Sequence, residues 1–143
     1  DGAYLEHRYG GRRARDYHVI PLRVAGELRG LAVLKRPSGA GDPRLRGIRV
    51  AVLSELLFPV SEAGIGCALL AAAERGARAI AADALLVSAT HAAVRPLLRR
   101  RAYLPLPRNV HCLVRMPAGG PPLPRELDRF WLTRGDSEAD EAF

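Results

Sequence analysis

The order of apolar runs along the chain predicts an α/β (α+β) fold, with a mixed, mainly antiparallel sheet and one central parallel βαβ pair. Two observations carry this. Residues 17–24 and 28–35 are apolar runs of strand length around Ala25-Gly26-Glu27, a hairpin signal in which Gly26 is free to take positive φ. Residues 47–58 form a third such run, after which the apolar spacing turns helical and then returns to a short strand. Strand, helix and strand in that order make a right-handed crossover, so the two strands are parallel.

Along the chain, residues 1–16 hold Tyr4, Leu5 and Tyr9 among charged side chains and Gly10-Gly11, and read as the frayed end of a helix followed by a loop. After the hairpin, residues 36–46 contain Pro37, Gly39, Gly41 and Pro43 and read as an exposed loop. The third strand carries Ile48, Val50, Val52, Leu53, Leu56 and Leu57, and Pro59 ends it by removing a ladder donor. From Glu62 to about Gly76 the residues Ile65, Leu69, Ala72 and Ala73 recur at helical spacing, with Gly76 as the expected stop. Residues 83–88 are a buried strand. Residues 90–101 are a second helix with Thr90 as its N-cap, kinked or broken in its first turn by Pro96.

Residues 109–116 alternate as a strand, a Gly/Pro-rich loop spans 117–124, and a last strand lies around 129–133. The expected organisation is an N-terminal remnant (1–16), one domain (17–134) and an acidic tail (135–143).

At 143 residues and 48% apolar, the chain is long enough to bury a core. No apolar run approaches the roughly 18–20 residues that span a bilayer, so no membrane is expected as a partner. The net charge is +7, and all but one of the 22 basic residues are arginine, Lys35 being the exception. Such charge attracts nucleic acid or the phosphates of a cofactor alike. Aromatic residues are only 6%, too few for a base-stacking platform, and nucleic acid is not the expected partner. Cys67 and Cys112 have no ligand-spaced partners, so no metal is expected, and a reducing cytoplasm is the simpler setting. The only methionine is Met116, so residue 1 is not expected to be a translational start.

Gly64-Ile65-Gly66 lies where a strand gives way to a helix. Successive amides at a helix start can cradle an anion, and glycine lets a phosphate approach the backbone. Glu62 opposes this by placing a carboxylate beside the cradle. In the other reading, Glu62 complements the helix dipole and the glycines serve tight packing. Arg99-Arg100-Arg101 is either a phosphate contact or a solvated helix end. Ser54 and Ser88 have no visible His/Asp arrangement for nucleophilic catalysis.

This order of elements, with Leu56-Leu57-Phe58-Pro59 running into Ser61-Glu62-Ala63-Gly64-Ile65-Gly66, resembles the GNAT superfamily of acyl-CoA N-acyltransferases. The family's signature is Q/R-x-x-G-x-G/A; both glycines match and Ser61 stands at the leading Gln/Arg. In the second helix, registering Tyr103 on the family's final aromatic puts Ala102 at its glycine, Leu98 at its tyrosine and His91 at its asparagine. The ends are similar to a bacterial GNAT-like group. Tyr4-Leu5-Glu6-His7-Arg8-Tyr9 resembles its W-R-Y-type segment, and Trp131 to Glu138 its closing W-L-T-x-G-D-S-D.

The resemblance implies acetyl-CoA or another acyl-CoA as co-substrate and an amine as acceptor. It implies cofactor contacts at Leu57, Phe58, Ser61, Glu62, Ala63, Gly64, Ile65, Gly66 and Cys67. It makes Glu55 the candidate general base, its pKa raised by partial burial among Leu53, Leu56 and Leu57; the bland alternative is a structural carboxylate paired with an arginine. His91, near the implied thioester, and His111 are further proton-transfer candidates beside capping or surface roles.

Two functions are expected. One is an N-acyltransferase, possibly one domain of a larger enzyme; the other is a non-catalytic module that binds CoA or a partner, favoured by Ser61 and Leu98. The family's first strand and helices have no counterpart here, so the strand at 17–24 is expected at an open edge. Self-association, or docking on a missing N-terminal domain, is expected there.

Overall fold

Ala25 and Gly26 both take positive φ (51° and 86°), as a two-residue hairpin turn matched to the twist of its strands requires. The turn joins β1 (Tyr17–Val24) to β2 (Glu27–Lys35) in antiparallel register, Val24 opposite Glu27. The computed structural model describes residues 2–37, 45–105, 129 and 131–133. Before the hairpin come α1 (Gly2–Tyr9) and a 3-10 helix (Gly11–Asp16); the loop expected over the second half of residues 1–16 is therefore coiled. After it come β3 (Val50–Leu57), α2 (Ala63–Ala79), β4 (Ala84–Val87) and α3 (Val94–Arg100).

The sheet runs β1-β2-β3-β4, with the first two pairs antiparallel and β3–β4 parallel, so the expected mixed sheet with its βαβ unit is what forms. Among the described residues β1 is an edge strand, and its Val19 is 48% exposed. α2 lies on one face, where Leu69, Leu70, Ala73 and Ala77 pack with Ala32, Leu34, Ala51, Leu53 and Leu56. Each leucine fully buried there stabilises the fold by about 2 kcal/mol. The other face carries Leu31 and Val33, covered by Tyr9 and Tyr17 with Leu5 alongside. The sheet is thus filled on both sides, which is why β3 is buried from Val50 to Leu56.

Two irregularities interrupt the regular pairing of the strands. Between β2 and β3 the register passes from Val33↔Glu55 to Leu34↔Leu53, leaving Ser54 as an extra residue. Such a bulge bends its strand and increases its twist. Pairing of β3 with β4 ends at Leu53↔Val87, just before the bulge, while β3 continues to Leu57. Between β1 and β2 the register passes from Leu22↔Gly30 to Arg23↔Leu28, which makes Arg29 the extra residue there.

Helix boundaries correct three expectations. Gly76 does not stop α2. It is buried, and a Cβ on it would meet Ile20 Cδ1 at 2.8 Å and Leu34 Cδ1 at 3.1 Å, so its role is close approach of helix to sheet. The helix ends three residues later. The amide of Ala82 bonds to the carbonyl of Ala77 (2.9 Å) and that of Ala81 to Arg78 (2.9 Å), with Ala81 at φ 57°. That is a Schellman closure with alanine in the left-handed position usually held by glycine.

The second helix is shorter than expected and Thr90 does not cap it. It begins at Val94, two residues before Pro96, because a proline that far into a helix tolerates no helical carbonyl four residues behind it. The third strand starts at Val50 rather than at 47.

No helix among the described residues is long and apolar enough to cross a membrane, and no metal-binding cluster of His, Cys, Asp or Glu occurs among them. The strand expected at 109–116, the loop at 117–124, the tail at 135–143, His111 and Cys112 lie outside the described residues, as does 38–44 of the first loop.

Candidate functional site

β3 departs from β4 after Leu53, and α2 starts at Ala63, so residues 54–62 separate the two in the chain. The expected site residues divide around them.

At the helix start, the amides of Glu62, Ile65 and Gly66 are bonded within the turn: Glu62 to Pro59 O (2.8 Å), Ile65 and Gly66 to Glu62 O (2.9 and 3.3 Å). The amides of Ala63 and Gly64, the first two helical residues, precede the first α-helical acceptor. Gly64 is exposed, and a Cβ on it would touch nothing within 4 Å. Gly66 is different: it is buried, and a Cβ would come within 2.7 Å of the Phe58 ring and 2.6 Å of Leu97 Cδ1. The packing reading of the motif thus describes Gly66, while Gly64 faces open space.

Ser61 and Ala63 are exposed, while Leu57, Phe58, Ile65 and Cys67 are partly buried, Phe58, Ile65 and Cys67 packing against the α2 core. The Glu62 carboxylate does not face the helix start alone. The bulged Arg29 of β2 pairs with it. That pairing offsets the negative charge that opposed an anion, and Arg29 was not visible as a site residue because the bulge that aims it is not visible in sequence.

Glu55 is 3% exposed and sits opposite Val33, on the face of the sheet that α1 covers. Its Oε1 accepts from the hydroxyls of Tyr4 (2.9 Å) and Tyr9 (2.7 Å), and its Oε2 from Thr133 (3.0 Å). The expected alternative partner, an arginine, is replaced by three hydroxyls. Burial, and then the hydrogen bond and charge of Glu55, raise the Tyr9 phenol well above its ordinary pKa, so Tyr9 stays a donor. Tyr9 also stands edge-on to Tyr17 (4.8 Å) and Tyr4 (6.5 Å), which fixes its ring. Tyr4, Tyr9 and Thr133 all lie in the two terminal segments singled out by resemblance, yet nothing local in the sequence joins them to Glu55.

His91 is partly buried. Its Nδ1 accepts from the Ala93 amide (3.1 Å), which leaves the proton of the neutral ring on Nε2, and its ring lies 5.0 Å from that of Trp131. Trp131 in turn stands edge-on to Phe58 at 5.0 Å and donates its Nε1–H to the carbonyl of Leu56 (3.0 Å).

The segment 131–133 thus reaches β3 through two side chains. On its other side, Thr90 N–H donates to Leu132 O (3.2 Å), Leu132 N–H donates to Thr90 Oγ1 (3.1 Å), and Ala89 bridges Thr133. This is where Thr90 is spent. The structure brings His91, Phe58 and Trp131 together, and separately Glu55 with Tyr4, Tyr9 and Thr133.

Arg99 and Arg100 are exposed at the end of α3, and Arg101 forks onto Glu74 of α2 (2.6 and 2.5 Å). The guanidinium's hydrogen bonds hold the Glu74 carboxyl below its usual range.

The mixed sheet with its one parallel pair is a fold that solved acetyltransferase structures share. No protein-family model matches the sequence, and no curated protein matches it significantly. Among solved structures, that of a probable acetyltransferase superposes with a TM-score of 0.59 at 17% identity, over 80% of this chain and 77% of the other. The ribosomal-protein-alanine N-acetyltransferase from Brucella melitensis biovar Abortus 2308 gives 0.57 at 19% identity, over 80% and 78%. At these identities the likeness is one of fold.

Proposed function

We propose that the chain is an N-acyltransferase that carries an acyl group from acetyl-CoA, or another acyl-CoA, to an amine. The observation that carries the reading is the parting of the parallel pair. β3 runs four residues beyond Leu53, its last residue paired with β4, and ends near a helix start where the amides of Ala63 and Gly64 would meet a phosphate. The pyrophosphate would lie along Ser61 to Cys67, nearest Ala63 and Gly64. The rest of the cofactor would lie along Leu57 and Phe58.

The thioester carbonyl would be polarised by backbone amides at the end of β3. Glu55 would take the proton that the amine sheds, and His91, with Nε2–H available, would be a further proton-transfer group. The hydroxyl partners of Glu55 keep its carboxylate fixed near the end of β3.

A second reading, a non-catalytic module that binds CoA or a partner, is favoured by one observation. Trp131 takes up the Leu56 carbonyl beyond Leu53, the last residue of β3 paired with β4. The two separate in one experiment. Purified chain is incubated with acetyl-CoA and, in turn, a peptide with a free N-terminal alanine, glucosamine and spermidine, while thiol release is followed. Amine-dependent release supports the transferase. Calorimetric binding of acetyl-CoA without release supports the module, and neither binding nor release removes both.

A further inference from the structure

Glu55 cannot reach an acceptor by itself. It is 3% exposed, both of its carboxylate oxygens are held by hydroxyls, and Leu56 and Val33 beside it are 1% and 0% exposed. Among the described residues, the groups that hold Glu55 and can pass it a proton are these three hydroxyls. Tyr9 is 3% exposed and locked edge-on against Tyr17, so it meets no solute. Thr133 is partly buried and belongs to the segment bonded to Thr90. Tyr4, on the first turns of α1, is 39% exposed and puts its Oη 2.9 Å from Glu55 Oε1. It is the exposed member of the triad of donors.

We propose that Tyr4 is the catalytic residue that meets the acceptor amine, and that Glu55 acts through it. This rests on the transferase reading above. As the amine nitrogen forms its bond to the thioester carbon, the carbon–sulfur bond breaks and its electron pair leaves on the CoA sulfur. The proton shed by nitrogen passes to Tyr4 Oη while the proton of Tyr4 passes to Glu55 Oε1. Tyr4 is neutral before and after, and Glu55 ends protonated. The proton then returns through Tyr4 to solvent, from which the thiolate is protonated. A hydroxyl is suited to this because it accepts and donates at once.

Tyr9 and Thr133 hold the carboxylate in place: Tyr9 shares Oε1 with Tyr4, and Thr133 binds Oε2. They are positioning residues. The role of α1 is therefore more than covering the sheet, since its exposed face supplies the hydroxyl that the strand's carboxylate needs.

The test compares Tyr4→Phe, Glu55→Gln, the double variant and Thr133→Val with the wild type, using acetyl-CoA and the best acceptor of the three amines named above. Tyr4→Phe keeps the ring, and its melting curve shows whether the fold is kept. Expected is a fall in kcat of about 10–100-fold for Tyr4→Phe, the range of one lost proton-transfer group at its lower end, with KM for acetyl-CoA unchanged. Glu55→Gln and the double variant should be equally slow, because the two residues serve one transfer. Thr133→Val should be the mildest change.

Wild-type kcat in Tyr4→Phe, with Glu55→Gln slow, would overturn the relay and leave Glu55 as a base reached by another path. Fully additive losses would overturn it too. A wild type that transfers to none of the three amines would overturn the transferase reading and the relay with it, and is told apart by the absence of any rate to compare.

Discussion

Gly64 and Gly66 stand two residues apart in one motif, and the structure separates what each is for. Gly64→Ala meets open space at the first turn of a helix, so stability should hold or rise by up to about 1 kcal/mol, alanine being the better helix former. A fall in acetyl-CoA affinity in that variant, measured by calorimetry, would then report on the ligand's approach and not on the fold. Gly66→Ala drives a methyl into Phe58 and Leu97 and should cost about 1–3 kcal/mol in chemical denaturation, the usual range for overpacking.

Sequence alone brought out the motif and the packing use of a glycine in it, because the spacing and the strand-to-helix switch are local. It also brought out Glu55, an acid among apolar neighbours. What it did not contain was the company Glu55 keeps. Tyr4, Tyr9 and Thr133 are 51, 46 and 78 positions away, and hydroxyls at such separations leave no periodic trace.

Among the elements, the ends of helices were read least well, and each miss has a cause. Gly76 carries the usual mark of a helix stop but is consumed by close packing on β1 and β2. The true stop at Ala81 carries no mark, because alanine occupies a conformation in which glycine is expected. Ala81→Gly should therefore stabilise the chain by about 1 kcal/mol, the left-handed cost of a Cβ less the greater chain entropy of glycine. A rise in the urea midpoint with an unchanged slope would show it. Thr90 resembles an N-cap by position, but Pro96 forces the helix to start later, and the freed hydroxyl serves Leu132 instead. The hairpin, by contrast, was legible from its two apolar runs and Gly26, although Glu27, read as part of the turn, belongs to β2.

For the molecule as a whole, strand order and the parallel pair could be read from the alternation of strand and helix with the handedness of the crossover. The faces of the sheet could not. β3 is buried from Val50 to Leu56, so its residues show no two-residue alternation that would assign Glu55 to the α1 side. The bulge at Ser54, which directly follows the parting from β4, is a property of two strands in register and so is invisible in either one. The joining of residues 131–133 to both Thr90 and β3 depends on contacts of the same long range.

That joining gives the chain a label of its own. Trp131 is its single tryptophan, and the indole is wedged between Phe58 and His91 with its N–H on the carbonyl of Leu56. Indole fluorescence depends on such surroundings. If acyl-CoA settles along Leu57 and Phe58, it competes for that space, and emission from the unmodified protein should shift saturably as acetyl-CoA is added. A spectrum unmoved by acetyl-CoA, in a protein that calorimetry shows to bind it, would place the ligand away from the end of β3. The light from one side chain thus distinguishes occupancy of the opening from binding elsewhere, before any acceptor is known.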